Sequence, residues 1–313
     1  MIEQIFTVSF LTAFLAASVR MAVPLAYAGL GETISEKCGI LNIGMEGVML
    51  SGAFFSFAGA YFSGSIFIGL LCGMAGGVAV SMIHAILCVK LSKDQSVSGI
   101  AINIFVLGVT SFLYKLMSGG QSYQQIQPIA RIRIPVLAEI PFIGEALFHQ
   151  DILTYLLYFL ILAITFFYKK TSAGLSFAAI GENPASADSA GIPVFQYQYL
   201  SMALNGVLGG MGGACLVLVS VGNFSENMTS GRGYIALATV ILGRFIPVGM
   251  LGAAFLFGCA NALQIRLQAV GVPLPSQALS MLPHVITLVA LLSSAGKNHA
   301  PDGLGKPYVR GAR

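Results

Sequence analysis

The sequence predicts an all-α, polytopic membrane protein of about nine transmembrane helices, built as a single domain over residues 1–313. Three observations carry that prediction. First, apolar residues make up 56% of the chain while Asp, Glu, Lys and Arg make up only 9%. Soluble domains run at roughly 45–50% apolar and about 25% charged. A large core could explain the first figure, but a water-facing surface needs more charge than the second allows. Second, apolar runs long enough to cross about 30 Å of hydrocarbon recur along the whole sequence. Third, the breaks between them carry turn residues and an uneven share of the basic side chains. The net charge of +4 therefore matters through its distribution, and does not point to nucleic acid.

The first run, Ile5–Leu30, has no basic region before it and no small-residue cleavage site, so it reads as a retained span. It holds Pro24 and, towards its later end, Arg20, which either snorkels to an interface or faces a polar interior. Residues 31–39, with Glu32, Glu36 and Lys37, read as a short polar connection. The second run opens on Ile40-Leu41-Asn42-Ile43-Gly44-Met45-Glu46-Gly47 and continues to about Phe62. Asn42 and Glu46 are four apart and share a helix face. They read either as solute contacts or as structural groups at a helix start.

The third span, Ile66–Val89, carries Gly73, Gly76 and Gly77 as a face for close helix approach, and His84 as a packed, hydrogen-bonded residue. The fourth, Ser96–Tyr114, has Asn103 near its middle. Residues 115–151 form a long connection, first polar and then aliphatic with prolines, around Arg131 and Arg133. The fifth span is Ile152–Tyr168. After the polar stretch 169–199 comes Leu200–Val219, with Asn205 and five glycines: Gly206, Gly209, Gly210, Gly212 and Gly213. Gly233–Arg266 holds two apolar runs joined at Arg244–Gly249, the first short for a full crossing and the second containing Asn261. Such broken elements are tolerated where protein or a cavity covers the backbone. A last span is expected over 278–292, followed by a polar tail with Lys297, Lys306, Arg310 and Arg313.

Placing 169–199 in the cytoplasm puts ten basic residues inside (Lys37, Lys90, Lys93, Lys169, Lys170, Arg244 and the four of the tail) and five outside (Lys115, Arg131, Arg133, Arg232, Arg266). The positive-inside bias then sets the N-terminus outside, residues 115–151 outside and the C-terminus in the cytoplasm of a multi-pass inner (plasma) membrane protein. A faint internal repeat accompanies this topology. Gly44–Gly47 opens a run followed by a second at Gly69–Gly73, and Gly231–Tyr234 does the same ahead of Gly249–Gly252. The two units enter from opposite sides, as in the inverted repeats of many transporters.

No catalytic constellation accompanies these spans. A Gly-Lys-Ser/Thr nucleotide loop is missing, so the chain is not expected to hydrolyse ATP, and neither a His-Glu-x-x-His run nor a Gly-x-Ser-x-Gly elbow is present. The four histidines have no ligand spacing and the five cysteines are scattered among apolar residues, so no metal and no cofactor is expected. Buried acidic residues that could couple ion movement are scarce, with Glu46 the one candidate. The driving force is expected from another chain.

The 169–199 stretch offers a place to receive it. Asn183 can cap a helix, Pro184 suits its first position, and Gly191 with Pro193 can stop it. About two turns over 185–190 would be unstable alone. They suit a knob docked into a partner's groove, or an ordinary capped linker.

Gly39–Gly47 resembles the signature of bacterial ABC transporter permeases of the branched-chain amino acid and simple-sugar importer group. Ala179-Ile180-Gly181-Glu182-Asn183-Pro184, with Ala187 and Gly191-Ile192, resembles that group's ATPase-docking loop. Ile134–Leu137, Ile140–Gly144 and Gly231–Ala238 extend the likeness over most of the chain, nearest to nucleoside-type and simple-sugar-type permeases. The resemblance implies a non-enzymatic permease subunit forming half of a translocation pathway. It implies a second homologous permease, as a heterodimer, cytoplasmic ATP-binding subunits, and an extracytoplasmic solute-binding lipoprotein or binding protein. Docking would fall to Gly181, Glu182, Asn183, Pro184, Ala187, Gly191 and Ile192. The charge-poor pathway suits a neutral polar solute, a nucleoside or a simple sugar. Its hydrogen-bonding candidates are Asn42, Glu46, Asn103, Asn205 and Asn261. An ion-coupled secondary transporter, a passive channel and a non-transporting membrane scaffold are the alternatives.

Overall fold

The computed structural model describes Val8 to Arg310, except residues 119–124, 136, 141–142, 270–274, 282, 284, 287, 290, 291 and 293–298. Twelve helices are assigned in this region. They are α1 (Val8–Glu36), α2 (Met45–Ser63), α3 (Ile66–Ala85), α4 (Gln95–Ser118), α5 (Ile143–Phe148), α6 (Ile152–Lys170), α7 (Ser172–Glu182), α8 (Pro184–Ser189), α9 (Val194–Cys215), α10 (Arg232–Leu242), α11 (Pro247–Ala269) and α12 (Ser276–Ser280). α3 and α9 run on as wider turns over Ile86–Lys90 and Leu216–Val221. A two-residue antiparallel pair, β1 (Ile132–Arg133) with β2 (His149–Gln150), folds the 115–151 connection back on itself.

Among the described residues, six helical stretches are long and apolar enough to cross a membrane: 10–36, 66–90, 95–118, 152–170, 194–221 and 247–269. Of the last span expected, 278–292, residues 282, 284, 287, 290 and 291 lie outside the described residues, His284 among them, while 276–280 form α12 and residues 283, 285, 286, 288, 289 and 292 are helical. The outward faces carry large apolar side chains, as a bundle solvated by lipid requires: Ile104, Phe105 and Phe112 on α4, Phe159, Leu162 and Phe166 on α6.

α1, α2 and α9 form the centre. Leu25 to Leu30 of α1 are almost fully buried, and the Tyr27 hydroxyl donates to the Leu153 carbonyl at 2.7 Å. α9 crosses α1, α2 and α3 through the glycines anticipated from the sequence. A β-carbon on Gly213 would overlap the Met49 carbonyl oxygen, and one on Gly77 of α3 would overlap that of Gly206. Only backbone-on-backbone contact fits such crossings.

The structure corrects the polar connection expected over 31–39. α1 continues to Glu36, and Glu32 and Glu36 are buried. Neighbouring backbone and amide donors satisfy Glu32 inside the bundle, whereas Glu36 Oε2 has no hydrogen-bond partner among the described residues. The helix stops at Gly39, whose φ is +86°, with the Ile40 N–H reaching back to the Ser35 carbonyl at 3.0 Å. The short run after Gly231 is a helix of 11 residues, about 16 Å long at 1.5 Å per residue. Arg244 and Phe245, at φ +57° and +58°, turn it into α11.

The polar stretch 169–199 also holds more helix than expected. The anticipated two-turn helix is present as α8, with Asn183 Oδ1 accepting from the Ser186 N–H at 3.0 Å and Gly191 at φ +84°. α7 precedes it, capped by Thr171 Oγ1, which accepts from the Gly174 N–H at 3.0 Å. Phe177 and Ile180 of α7 are buried at a three-residue spacing that the neighbouring Gly-Glu-Asn-Pro punctuation obscured.

Candidate functional site

The first turns of α2 and α10 meet. Glu46, in the first turn of α2, projects its carboxylate onto the start of α10. Oε1 accepts from the Gly231 N–H at 2.8 Å, and Oε2 accepts from the Gly233 N–H at 2.6 Å. Gly231 has φ +85°, and a β-carbon on Gly233 would overlap the Glu46 backbone, so glycine at both positions lets the two helix starts touch. A carboxylate between helix N-termini gains from both helix dipoles and from orphan N–H donors.

Asn103 of α4 locks this junction from the side. Its Oδ1 accepts from the Gly47 N–H at 2.8 Å, and its Nδ2 donates to the Ile43 carbonyl at 2.9 Å and to the Tyr234 hydroxyl at 2.8 Å. A cavity of about 290 Å³ opens against the junction, lined by Glu46, Asn103, Asn227, Ser230 and Tyr234 together with Leu50, Ile104 and Leu107. It combines an apolar wall with convergent hydrogen-bonding groups, the mixture that small polar ligands require.

Asn42 and Asn205 belong to a second junction. Asn42 Nδ2 donates to Asn205 Oδ1 at 2.8 Å, and Asn205 Nδ2 donates to Glu32 Oε2 at 2.8 Å and to Ser35 Oγ at 3.0 Å. The Asn42 N–H donates to Glu32 Oε1 at 2.7 Å. Ser81 Oγ donates to the Met202 carbonyl at 2.6 Å, and His84 Nε2 lies 3.2 Å from the Leu41 carbonyl, the packed role expected for that histidine. Glu32, Ser35, Asn42, Ser81, His84 and Asn205 all have zero exposure. Sequence reasoning missed Glu32, because Glu32, Glu36 and Lys37 together look like a water-facing connection.

The structure thus brings Glu46 and Asn103 together, and Asn42 and Asn205 together, in two separate places. Asn261 joins neither; its Nδ2 donates to the Phe257 carbonyl of its own helix at 3.1 Å. Tyr234 was also missed as a candidate, although it follows the Gly-Arg-Gly that starts α10. No group of three or more His, Cys, Asp or Glu that could hold a metal occurs among the described residues.

The α7–α8 element sits at one end of the bundle. Ala187 is 4% exposed, seated in the core cluster with Phe177 and Ile180. Glu182, Asn183, Ala185, Ser186, Ser189, Ala190 and Gly191 face outward. Gly181 packs so closely on the α1–α2 connection that a β-carbon would overlap the Lys37 carbonyl oxygen. Burial holds the Lys37 ammonium below its ordinary pKa, the Glu182 carboxylate partly offsets this, and the ammonium lies 5.4 Å from the centre of the Tyr168 ring.

The family described as "branched-chain amino acid transport system / permease component" matches residues 14–292. The chain belongs to this permease family. A guanosine ABC transporter permease protein of Bacillus subtilis is 36% identical over 98% of this chain and 99% of its own length. A candidate glucose ABC transporter permease protein of Haloferax volcanii is 36% identical over 86% of this chain and 82% of its own. Among solved structures, a candidate metal-chelate type ABC transporter in an inward-facing conformation superposes with a TM-score of 0.51. That superposition covers 90% of this chain and 85% of the other, at 15% identity, and so speaks for a shared fold. The protein is a membrane permease component of an ABC-type importer for a small polar solute. It is a non-catalytic subunit, and ATP turnover belongs to other chains of such a transporter.

Proposed function

We propose that this chain lines half of the pathway for a nucleoside or a simple sugar, and that the cavity beside Glu46, Asn103 and Tyr234 lies on that pathway. The observation that carries the reading is the junction itself. Two helix N-termini, a carboxylate and a carboxamide converge on a cavity of about 290 Å³ with one apolar wall. Broken helices whose ends meet beside a polar cavity are how transporters place a solute site away from water. Neutral hydroxylated solutes suit Asn103, Asn227, Ser230 and the Tyr234 hydroxyl, which both donate and accept. Asn42 and Asn205 hold the helices that frame the pathway, and Asn261 faces its own helix.

In this reading the chain crosses the membrane nine times, with the units opening at Gly44 (α2–α3) and Gly231 (α10–α11) as an inverted repeat. Support comes from the packing, in which the helix preceding each unit lies against the second helix of the other, α1 on α11 and α9 on α3. The N-terminus is outside and the C-terminus in the cytoplasm, in keeping with the basic-residue count. Gly181, Glu182, Asn183, Pro184, Ala187, Gly191 and Ile192 form the docking element for a cytoplasmic ATP-binding subunit. A second homologous permease completes the pathway as a heterodimer, and an extracytoplasmic binding lipoprotein delivers solute over the 115–151 connection. ATP binding and hydrolysis then tilt the core helices between outward- and inward-open states. The guanosine and glucose names of the two relatives frame the substrate choice. The test is reconstitution of the complete complex in proteoliposomes with a panel of nucleosides and sugars. Stimulated ATP turnover and uptake by one class fixes the substrate, and stimulation by neither refutes the assignment.

A further inference from the structure

Residues 299–310 do not hang free. Its backbone knits two elements together: the Gly303 N–H donates to the Gly181 carbonyl at the end of α7 at 2.8 Å, and the Gly305 N–H donates to the Gly39 carbonyl between α1 and α2 at 3.2 Å. Pro301 and Gly303 are buried, and the Tyr308 ring packs on Phe195 with centroids 5.6 Å apart. The segment then latches α8. Arg310 Nε donates to Asp188 Oδ2 at 2.8 Å, Arg310 Nη2 donates to Oδ1 at 2.6 Å, and the Tyr308 hydroxyl donates to Oδ2 at 3.0 Å. This two-pronged guanidinium–carboxylate geometry fixes orientation as well as distance.

α8 has six residues and cannot hold its shape unaided. Three grips hold it: the Asn183 cap, Ala187 in the core, and Asp188 in the latch. All three leave the face carrying Ala185, Ser186, Ser189 and Ala190 open to a partner. The strap adds a second route from α8 to the α1–α2 connection, which α7 already touches at Gly181 and α9 reaches through Asn205 and Asn42. From Asp188 it runs through Arg310 and Tyr308 to Gly305, and from there to Gly39, six residues before α2 begins. α2 carries Glu46 and Gly47, the residues joined to α10 and to Asn103 beside the cavity.

We infer that residues 299–310 form a mechanical strap that positions the docking helix and carries its displacement to the start of α2, with Arg310 and Tyr308 as positioning residues. This rests on the reading that α8 is where the ATPase docks. A partner that pushes on α8 then moves α2 and the Glu46 junction along with α7 and α9. Without the latch, α8 still binds its partner, but its shift reaches α2 only through α7 and α9, so ATP is consumed with less solute moved.

The test uses the complete transporter in proteoliposomes. A Ser186→Cys variant is first cross-linked to the ATP-binding subunit, and formation of the product establishes docking at α8. Arg310→Glu is then expected to keep the cross-link and basal ATP hydrolysis while lowering solute uptake per ATP by about tenfold. Exchanging the pair, Asp188→Arg with Arg310→Asp, is expected to restore most of that ratio, which ties the loss to the ion pair. Tyr308→Phe, which removes one hydroxyl and no charge, is expected to lower it by about twofold and serves if the charge variants do not assemble. An unchanged ratio of uptake to ATP in Arg310→Glu or Tyr308→Phe, with the cross-link intact, overturns the strap alone. Loss of uptake that the exchanged pair does not recover also overturns it. Absence of the Ser186→Cys cross-link in the otherwise wild-type complex overturns the docking reading and the strap with it.

Discussion

Two buried polar junctions hold this bundle together, and they differ in what lies beside them. At Glu32–Asn42–Asn205 the carboxylate and amides are fully enclosed and bond one another across α1, α9 and the start of α2, with Asn42 Oδ1 left without a partner among the described residues. At Glu46–Asn103–Tyr234 the same residue types satisfy one another across α2, α4 and α10, but a cavity opens on them and Tyr234 is 46% exposed. Similar chemistry therefore serves two ends. A polar cluster sealed on every side fixes helices in register, while one with an open flank can also trade its hydrogen bonds for those of a solute. Residue identity alone does not separate the two.

The comparison can be broken most forcefully at the sealed junction. Asn205→Leu removes two donated bonds and leaves the enclosed Glu32 carboxylate short of partners, and is expected to cost about 3 kcal/mol. Thermal unfolding in detergent reads this directly, and a variant as stable as wild type would mean that the network is not structural. Glu46→Gln keeps the shape but weakens the charge-assisted bonds to Gly231 and Gly233, for an expected loss of about 1–2 kcal/mol. Here uptake should fall further than stability does, because the cavity wall moves with α10. Asn261→Ala is the control: its one bond lies within its own helix, so stability should change by about 0.5 kcal/mol or less and uptake should be unaffected.

The strap supplies the smallest expected response, one to pH. The bonds from Arg310, assisted by Tyr308 and opposed by burial, hold the Asp188 carboxyl below its ordinary pKa. A carboxylate depressed in the folded state contributes above its unfolded value, about 3.9, and loses that contribution only as pH falls through the lower folded value. The latch should therefore stay closed from neutral pH down to that ordinary carboxylate value. Hydrogen exchange at Gly303 and Gly305, corrected for the intrinsic rate, should show constant protection across that window. Opening at higher pH would show that the ion pair is not what closes it.

Much of the architecture was legible in the sequence, because lipid imposes strong rules on it. Apolar runs marked the long helices, the glycines between Gly206 and Gly213 marked the tight crossing of α9, and Asn183, Pro184 and Gly191 marked α8. What stayed hidden depends on contacts between residues far apart in the chain. Glu32 looks like a loop residue until Asn205, 173 positions later, is placed against it. Glu46 and Asn103 could be named as hydrogen-bonding groups, but Tyr234, which completes their cavity, had no local signal beyond its position at a helix start. The strap was invisible for the same reason: Asp188 and Arg310, 122 residues apart, meet only after the bundle has closed.

The most direct measurement of the central claim is the solute-concentration dependence of ATP-driven uptake by the reconstituted transporter with Tyr234→Phe in this chain. The substitution removes one hydroxyl from the cavity and one acceptor from Asn103 while leaving the apolar ring in place. If the cavity lies on the pathway, KM for the transported nucleoside or sugar rises by about five- to tenfold with unfolding temperature unchanged. An unchanged KM in a correctly assembled Tyr234→Phe transporter would place the solute's route elsewhere.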